Sequence, residues 1–140
     1  MIERATYSVR AANDSDIDCI AAWLHAQREV DSMAANWAIT LHVYRTKGML
    51  VLEDISSAGP IAYFWGDLAG LDSVLEVRHD RRRQGIGRWF VAYLIEQARQ
   101  RGDQQLSVEC APASSQHFWR SMGFCVEREG RRWVGRRILP

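Results

Sequence analysis

Apolar positions along the chain change period several times, and those changes lay out the elements. Residues 6–10 alternate in the manner of a short strand. Asn13 to Asp16 then offer several capping side chains to a helix whose apolar stripe is Ile17, Ile20, Ala21 and Leu24, predicted to end near Glu29. Between residues 32 and 46 two periods compete. Trp37, Ile39, Leu41 and Val43 alternate as in a strand, while Ala34, Ala38 and Leu41 are spaced as in a helix. Residues 49–53, 61–66 and 71–78 are short β-rich runs, divided by Ser56-Ser57-Ala58-Gly59-Pro60 and by the Ala69-Gly70 turn, which predicts an antiparallel meander. From Ile86 the spacing becomes helical, with Ile86, Trp89 or Phe90, Tyr93, Leu94 and Ala98 on one side, and stops at Gly102. A strand over 106–110, a short helix over 114–122 and a hairpin of 124–128 with 133–139 around Glu129-Gly130 complete the chain. This order predicts an α/β (α+β) fold, with a mixed central sheet of six to seven strands and helices on both faces.

The chain has 140 residues, and composition narrows the class. With 47% hydrophobic and 25% charged residues, residues 1–140 are expected to form a single domain around one core. No apolar run approaches the roughly 20 residues that span a bilayer, and no secretory leader is evident, so the expectation is a cytoplasmic protein without membrane contact. Cys19, Cys110 and Cys125 have neither an even count nor CxxC spacing, and no metal is expected. Most of the six tryptophans are assigned to packing, because each ring has a large apolar area to bury.

The net charge of +1 gives no general pull on nucleic acid, yet Arg78, Arg81, Arg82, Arg83 and Arg88 crowd one short segment. A second basic stretch, Arg128, Arg131, Arg132, Arg136 and Arg137, falls on the terminal hairpin. A nucleic-acid surface is disfavoured because the total is near neutral and no nucleic-acid motif accompanies the arginines. The first cluster surrounds Arg82-Arg83-Gln84-Gly85-Ile86-Gly87-Arg88, where a strand gives way to the long helix. Glycine lets the backbone turn sharply and approach a ligand, the first helical N–H groups lack internal partners, and the helix dipole adds about half a positive charge there. Such a turn suits a pyrophosphate. It is not a dinucleotide fingerprint, which would need glycine where Phe90 stands, nor a P-loop, which needs Gly-Lys-Ser/Thr.

Leu75 to Gly87 resembles the acetyl-CoA-binding motif of the GNAT N-acetyltransferase superfamily, in which Arg or Gln is followed by two residues, Gly, one residue, and Gly or Ala. Arg82, Gly85 and Gly87 match it, and Ser115-Gln116-His117-Phe118-Trp119-Arg120-Ser121-Met122-Gly123-Phe124 is similar to that family's short helix running into a Gly-Phe strand start. The resemblance implies a GNAT-like domain using acetyl-CoA, or another short acyl-CoA, as co-substrate. It implies that Val77 and His79 pair through their backbones with the pantetheine arm. Around the pyrophosphate it places Arg82, Arg83, Gln84, Gly85, Ile86, Gly87 and Arg88, mostly by their amides, and it brings Ser115 and Phe118 near the thioester.

Two positions depart from the family. Pro112 and Trp119 stand where many members carry Asn and a Tyr that protonates the departing thiolate, and an indole N–H cannot serve as that acid. A simple thiol titrates at about 8.5 to 10, so its thiolate leaves tolerably without one. For the base that takes a proton from the attacking amine, Glu76 is the first candidate, with Asp72 and Glu109 as replacements; His79 and His117 are read as solvated or capping groups. The expected function is acetyl transfer to an unidentified primary amine, a small molecule before a protein Lys or N-terminus, by a monomer or homodimer. The alternative is an acyl-CoA-binding regulatory module without catalysis. The acceptor cleft implied by the family draws on Trp23, Arg28, Trp37, His42, Tyr44, Trp65 and Asp67.

Overall fold

The structure is a computed structural model that describes residues 6–27 and 37–140. Its elements in order are β1 (Tyr7–Ala11), α1 (Asp14–Gln27), α2 (Trp37–Lys47), β2 (Leu50–Asp54), β3 (Ala62–Gly66), β4 (Ser73–Val77), α3 (Ile86–Arg101), β5 (Gln105–Glu109), α4 (Gln116–Ser121), β6 (Cys125–Glu129) and β7 (Arg132–Ile138). A single 3-10 turn covers His79–Arg81 and another Ala113–Ser115. The α/β class is as the sequence predicts, and the seven described strands lie in a four-stranded sheet β1-β2-β3-β4 and a three-stranded sheet β5-β7-β6. The chain divides into two compact units, residues 1–65 with 74–87, and residues 66–73 with 88–140.

The first unit contains the meander. β1 pairs antiparallel with β2, Val9 opposite Leu52, and β2 pairs antiparallel with β3, Val51 opposite Tyr63. Among the possible caps of α1 the structure selects Asn13. Its side chain accepts from the Asp16 amide at 3.0 Å while the Asp16 carboxylate accepts from the Asn13 amide at 2.8 Å, a reciprocal box that satisfies two donors at the helix start. Arg10 fixes the same carboxylate through bonds of 2.6 and 2.8 Å and holds its pKa below the usual range. Ile17, Ile20, Trp23 and Leu24 then pack on Met49, Val51 and Tyr63. Each large apolar side chain so buried contributes about 1.5–3 kcal/mol.

The ambiguous stretch resolves as helix from Trp37. Trp37, Leu41 and Tyr44, spaced three and four apart, lie against that cluster, whereas Ile39, which a strand would have turned to the same side as Trp37, is 55% exposed. Residues 28–36, and with them Arg28, lie outside the described residues.

In the second unit β7 is central, paired antiparallel with β5 and β6. The hairpin closes on Gly130 in the left-handed region, at φ 66°, with Glu129 opposite Arg132. The buried side of α3 presents Phe90, Val91, Leu94, Ile95 and Ala98. Trp119 meets both Phe118 and Phe124 edge to face. No described helix is long and apolar enough to cross a membrane.

Candidate functional site

Residues 78–87 leave β4, make one 3-10 turn and enter α3. The path requires left-handed backbone at Arg83 (φ 64°) and at Gly85 (φ 82°). Glycine adopts this freely; an arginine does so at a cost of about 1 kcal/mol. Within the turn, the Arg81 and Arg82 amides bond back to the carbonyls of Arg78 and His79. From Arg83 to Gly87, by contrast, no backbone amide has an acceptor among the described residues. The chain thus offers a run of unspent donors at the positive end of the 16-residue helix α3.

The arginines are disposed differently from what their clustering suggests. Arg78 bonds Asp80 at 2.6 Å and lowers that carboxyl's pKa. Arg82 bonds the buried Glu76 carboxylate at 2.7 Å and donates from Nε to the Val77 carbonyl at 3.0 Å. Arg81 bonds the buried Asp54 carboxylate and donates from Nε to the Gln84 side chain at 3.0 Å. Three of the five positive charges are therefore neutralised by the chain's own acids and brace the turn. Arg83, exposed, has no ion-pair partner among the described residues.

The first unit brings together Glu76, Val77, His79, Arg82, Arg83, Gln84, Gly85, Ile86 and Gly87; Arg88, Ser115 and Phe118 belong to the second. Glu76 is paired with Arg82 and not with Arg78, its nearest cation in sequence. Arg78 lies past the end of β4 and turns to Asp80, and the 3-10 turn returns Arg82 to β4. Each of the two residues expected to meet a pantetheine arm has one backbone group engaged within the chain. The His79 amide donates to the Gln27 side chain and the Val77 carbonyl accepts from Arg82. Ile86 is buried and anchors the first turn of α3.

In the second unit Arg88 donates to the Ser121 hydroxyl at 2.7 Å, and that hydroxyl donates to the Phe118 carbonyl, tying the start of α3 to the end of α4. Ser115 keeps a buried hydroxyl with no partner among the described residues. Trp119 is buried in packing. Asp67, one of the residues of the implied acceptor cleft, caps its own turn by accepting from the Ala69 amide and lies 3.5 Å from Arg101. Trp23 belongs to the core and donates to the Pro60 carbonyl. Trp65 donates to Thr40 at 3.1 Å.

Sequence reasoning missed Asp54, Gln27 and Ser121. Asp54 carries a local signal, since an Asp two residues before Ser56 is a turn signature, and its Oδ1 does accept from the Ser56 amide at 3.0 Å. Its bond to Arg81 has no local signal. Among the described residues no group of His, Cys, Asp and Glu is gathered closely enough to hold a metal ion.

No curated protein matches the chain in sequence. Among solved structures, it is similar to yncA from Salmonella typhimurium, described as an acetyltransferase and solved with its cofactor acetyl-CoA, at 20% identity and a TM-score of 0.66, over 96% of this chain and 95% of that one. It is similar to a ribosomal-protein-alanine N-acetyltransferase from Brucella melitensis, at 22% identity and 0.64, over 94% and 99%. A third is a GNAT superfamily phosphinothricin acetyltransferase from Sinorhizobium meliloti in complex with acetyl-CoA, at 18% and 0.68, over 96% and 89%. These likenesses show the fold. The sequence pattern of the acetyltransferase (GNAT) family matches residues 48–124, more than half of the chain and including the whole turn at 78–87, and the chain belongs to that family.

Proposed function

We propose that residues 1–140 form one acyl-CoA-dependent N-acetyltransferase domain that transfers an acetyl group from acetyl-CoA to a primary amine, a small molecule before a protein. The observation that carries this reading is the run of unspent amides from Arg83 to Gly87 at the start of α3, within the Arg82, Gly85, Gly87 pattern. These residues fit a pyrophosphate, because several N–H donors and a helix dipole converge on one place without a competing internal acceptor. Two of the similar structures were solved with acetyl-CoA, and that supports the choice of nucleotide.

Acetyl-CoA, when bound, supplies the acyl group as a thioester. This chain's own part is binding, orientation and proton transfer. Amides 83 to 87 are the proposed holders of the diphosphate; for Arg88, Ser115 and Phe118 only the family resemblance supports a part in binding. Pairing of the arm with the His79 amide displaces the Gln27 side chain, whereas the Val77 carbonyl keeps a second lone pair beside its bond from Arg82. Holding the two reactants together removes translational and rotational freedom, the largest contribution open to a site with so few acid–base groups. Glu76 is the proposed base, and a backbone N–H near Val77 the proposed donor to the thioester oxygen. Departure of the thiolate is left to its own modest basicity, since Trp119 offers no acid.

The test is calorimetric titration with acetyl-CoA, with Gly85→Trp plus Gly87→Trp as the blocked control, followed by a screen of amines for thiol release. Binding lost in the control supports the site. A folded wild-type protein that ignores acetyl-CoA overturns the reading, and binding without thiol release for any amine converts it to a regulatory acyl-CoA-binding module. Glu76→Gln separates two roles. As a base its loss lowers kcat about a hundredfold or more at saturating acetyl-CoA. As a brace for Arg82 alone, its loss raises the KM for acetyl-CoA and leaves kcat in place.

A further inference from the structure

We infer that Asp54, at the end of β2, is a positioning residue for the nucleotide turn, acting through Arg81 on Gln84; this rests on the acyl-CoA reading above. The Asp54 carboxylate is almost wholly withdrawn from solvent, with its side chain 5% exposed. Its Oδ1 accepts from the amide and hydroxyl of Ser56, at 3.0 and 2.9 Å, and Ser57 donates to the Asp54 carbonyl, so the carboxylate is clamped before it meets any arginine. Its Oδ2 takes Arg81. The same guanidinium reaches Gln84 Oε1 from Nε at 3.0 Å.

Gln84 sits between the two left-handed residues of the turn, Arg83 and Gly85. That is the point at which the backbone has most freedom to rearrange, because glycine admits many conformations and a left-handed arginine is strained. A fork that fixes Gln84 from one side therefore fixes the directions of the amides on both sides of it. Arg81 cannot be counted as a phosphate ligand, since its charge is committed to Asp54. Its planar guanidinium serves as a spacer of defined geometry, a task for which lysine, with a single rotatable ammonium, is a poor substitute. The acid-strengthening of Asp54, to a pKa of about 2, agrees with a tight pair. A donor array held in place before the ligand arrives binds more tightly than one that must be ordered on arrival.

Acetyl-CoA is titrated by calorimetry into wild-type protein, Arg81→Gln, Arg81→Lys, Gln84→Ala and the pair Asp54→Asn with Arg81→Gln, each shown folded by its melting curve and measured well below its melting temperature. Arg81→Gln is expected to weaken acetyl-CoA binding about tenfold, one charged hydrogen bond's worth of order. Arg81→Lys recovers only part of this. The double variant loses no more than Arg81→Gln alone, because the two residues form one chain of contacts. In the acetyl-CoA complex the amides of residues 83–87 should exchange faster in the same variants than in wild type, and at saturating acetyl-CoA the KM for any accepted amine should be unchanged. A folded Arg81→Gln and a folded Gln84→Ala that both bind acetyl-CoA as tightly as wild type overturn the inference while leaving the acyl-CoA reading intact. A wild-type protein that binds no acetyl-CoA overturns both.

Discussion

Two arginine-rich segments, the turn at 78–87 and the hairpin of β6 and β7, have similar composition and opposite construction. In the turn, Arg81 and Arg82 pair with acids whose side chains are 5% and 8% exposed, and the backbone amides that follow are unspent. In the hairpin, Arg132 and Arg136 pair with Glu109 and Glu129, which are 38% and 44% exposed, and the backbone is consumed by the ladder of β7 with β5 and β6. The Arg81 and Arg82 pairs are thus part of the turn's framework, whereas Arg78–Asp80, with Asp80 67% exposed, is solvated like the pairs of the hairpin. Charge density alone does not reveal a binding site; what distinguishes the turn is backbone left without partners beside side chains that already have them.

The largest effect that sharpens this contrast is on stability. Asp54→Ala removes a buried acceptor of Arg81 and of the Ser56 amide and hydroxyl, and is expected to cost about 2–3 kcal/mol in urea unfolding. The figure stays below that for a fully buried pair because Arg81 is 22% exposed and can turn to water. A loss under about 0.5 kcal/mol would place Asp54 with the hairpin acids and erase the distinction.

Acid adds a second, smaller effect. The Arg81 guanidinium, with help from Ser56, lowers the Asp54 pKa from 3.8 to about 2. A carboxyl whose folded pKa is depressed stabilises the fold above its unfolded pKa, and that stability disappears as pH falls through the folded value. Asp54 should therefore contribute fully above about pH 4 and lose about 1–2 kcal/mol between pH 4 and 2, after discounting for the solvent beside Arg81. Arg81→Gln should show a flatter stability profile over that window, and equal profiles for the two proteins would remove the pair as its cause.

How far the sequence revealed these things depended on distance along the chain. The turn was legible because Arg82, Gly85 and Gly87 and the change to helical spacing at Ile86 are neighbours. The hairpin was legible from its two β runs around Gly130. The bracing of the turn was hidden, since Asp54 and Arg81 stand 27 residues apart and nothing in either segment names the other. Nothing in the sequence names Arg82 as the partner of Glu76; the 3-10 turn, which no periodicity foretells, makes that pair. Residues 37–47 were undecided because helical and strand periods both fit, and only packing of Trp37, Leu41 and Tyr44 on the first unit's core decides between them. The acceptor cleft was the least legible, since aromatic residues suit cores and ligand walls equally, and Trp23 proved to be core.

Arg83 gives a prediction of opposite sign. Its left-handed backbone is strained, so Arg83→Gly trades relief of about 1 kcal/mol against the greater freedom glycine gains in the unfolded chain, leaving stability nearly unchanged or slightly raised. The same change removes an exposed cation from the turn proposed to hold the nucleotide, so acetyl-CoA affinity should fall, and by less at high salt than at low. Thermal melts together with titrations at two salt concentrations test both halves.

The smallest effect is expected in the hairpin. Arg136 forks to Glu129, with both side chains well exposed, so each side chain regains water when the other is removed. Cross-strand ion pairs of this kind are worth about 0.2–1 kcal/mol against alanine, and less as salt rises. A double-mutant cycle of Arg136→Ala with Glu129→Ala should therefore return a coupling below about 0.5 kcal/mol that falls further in high salt, with acetyl-CoA affinity unchanged throughout. A coupling as large as that of Asp54 with Arg81 would mean that the ladder of β7 needs its charges as the turn does, and that side-chain exposure is a poor guide to which arginines this fold depends on.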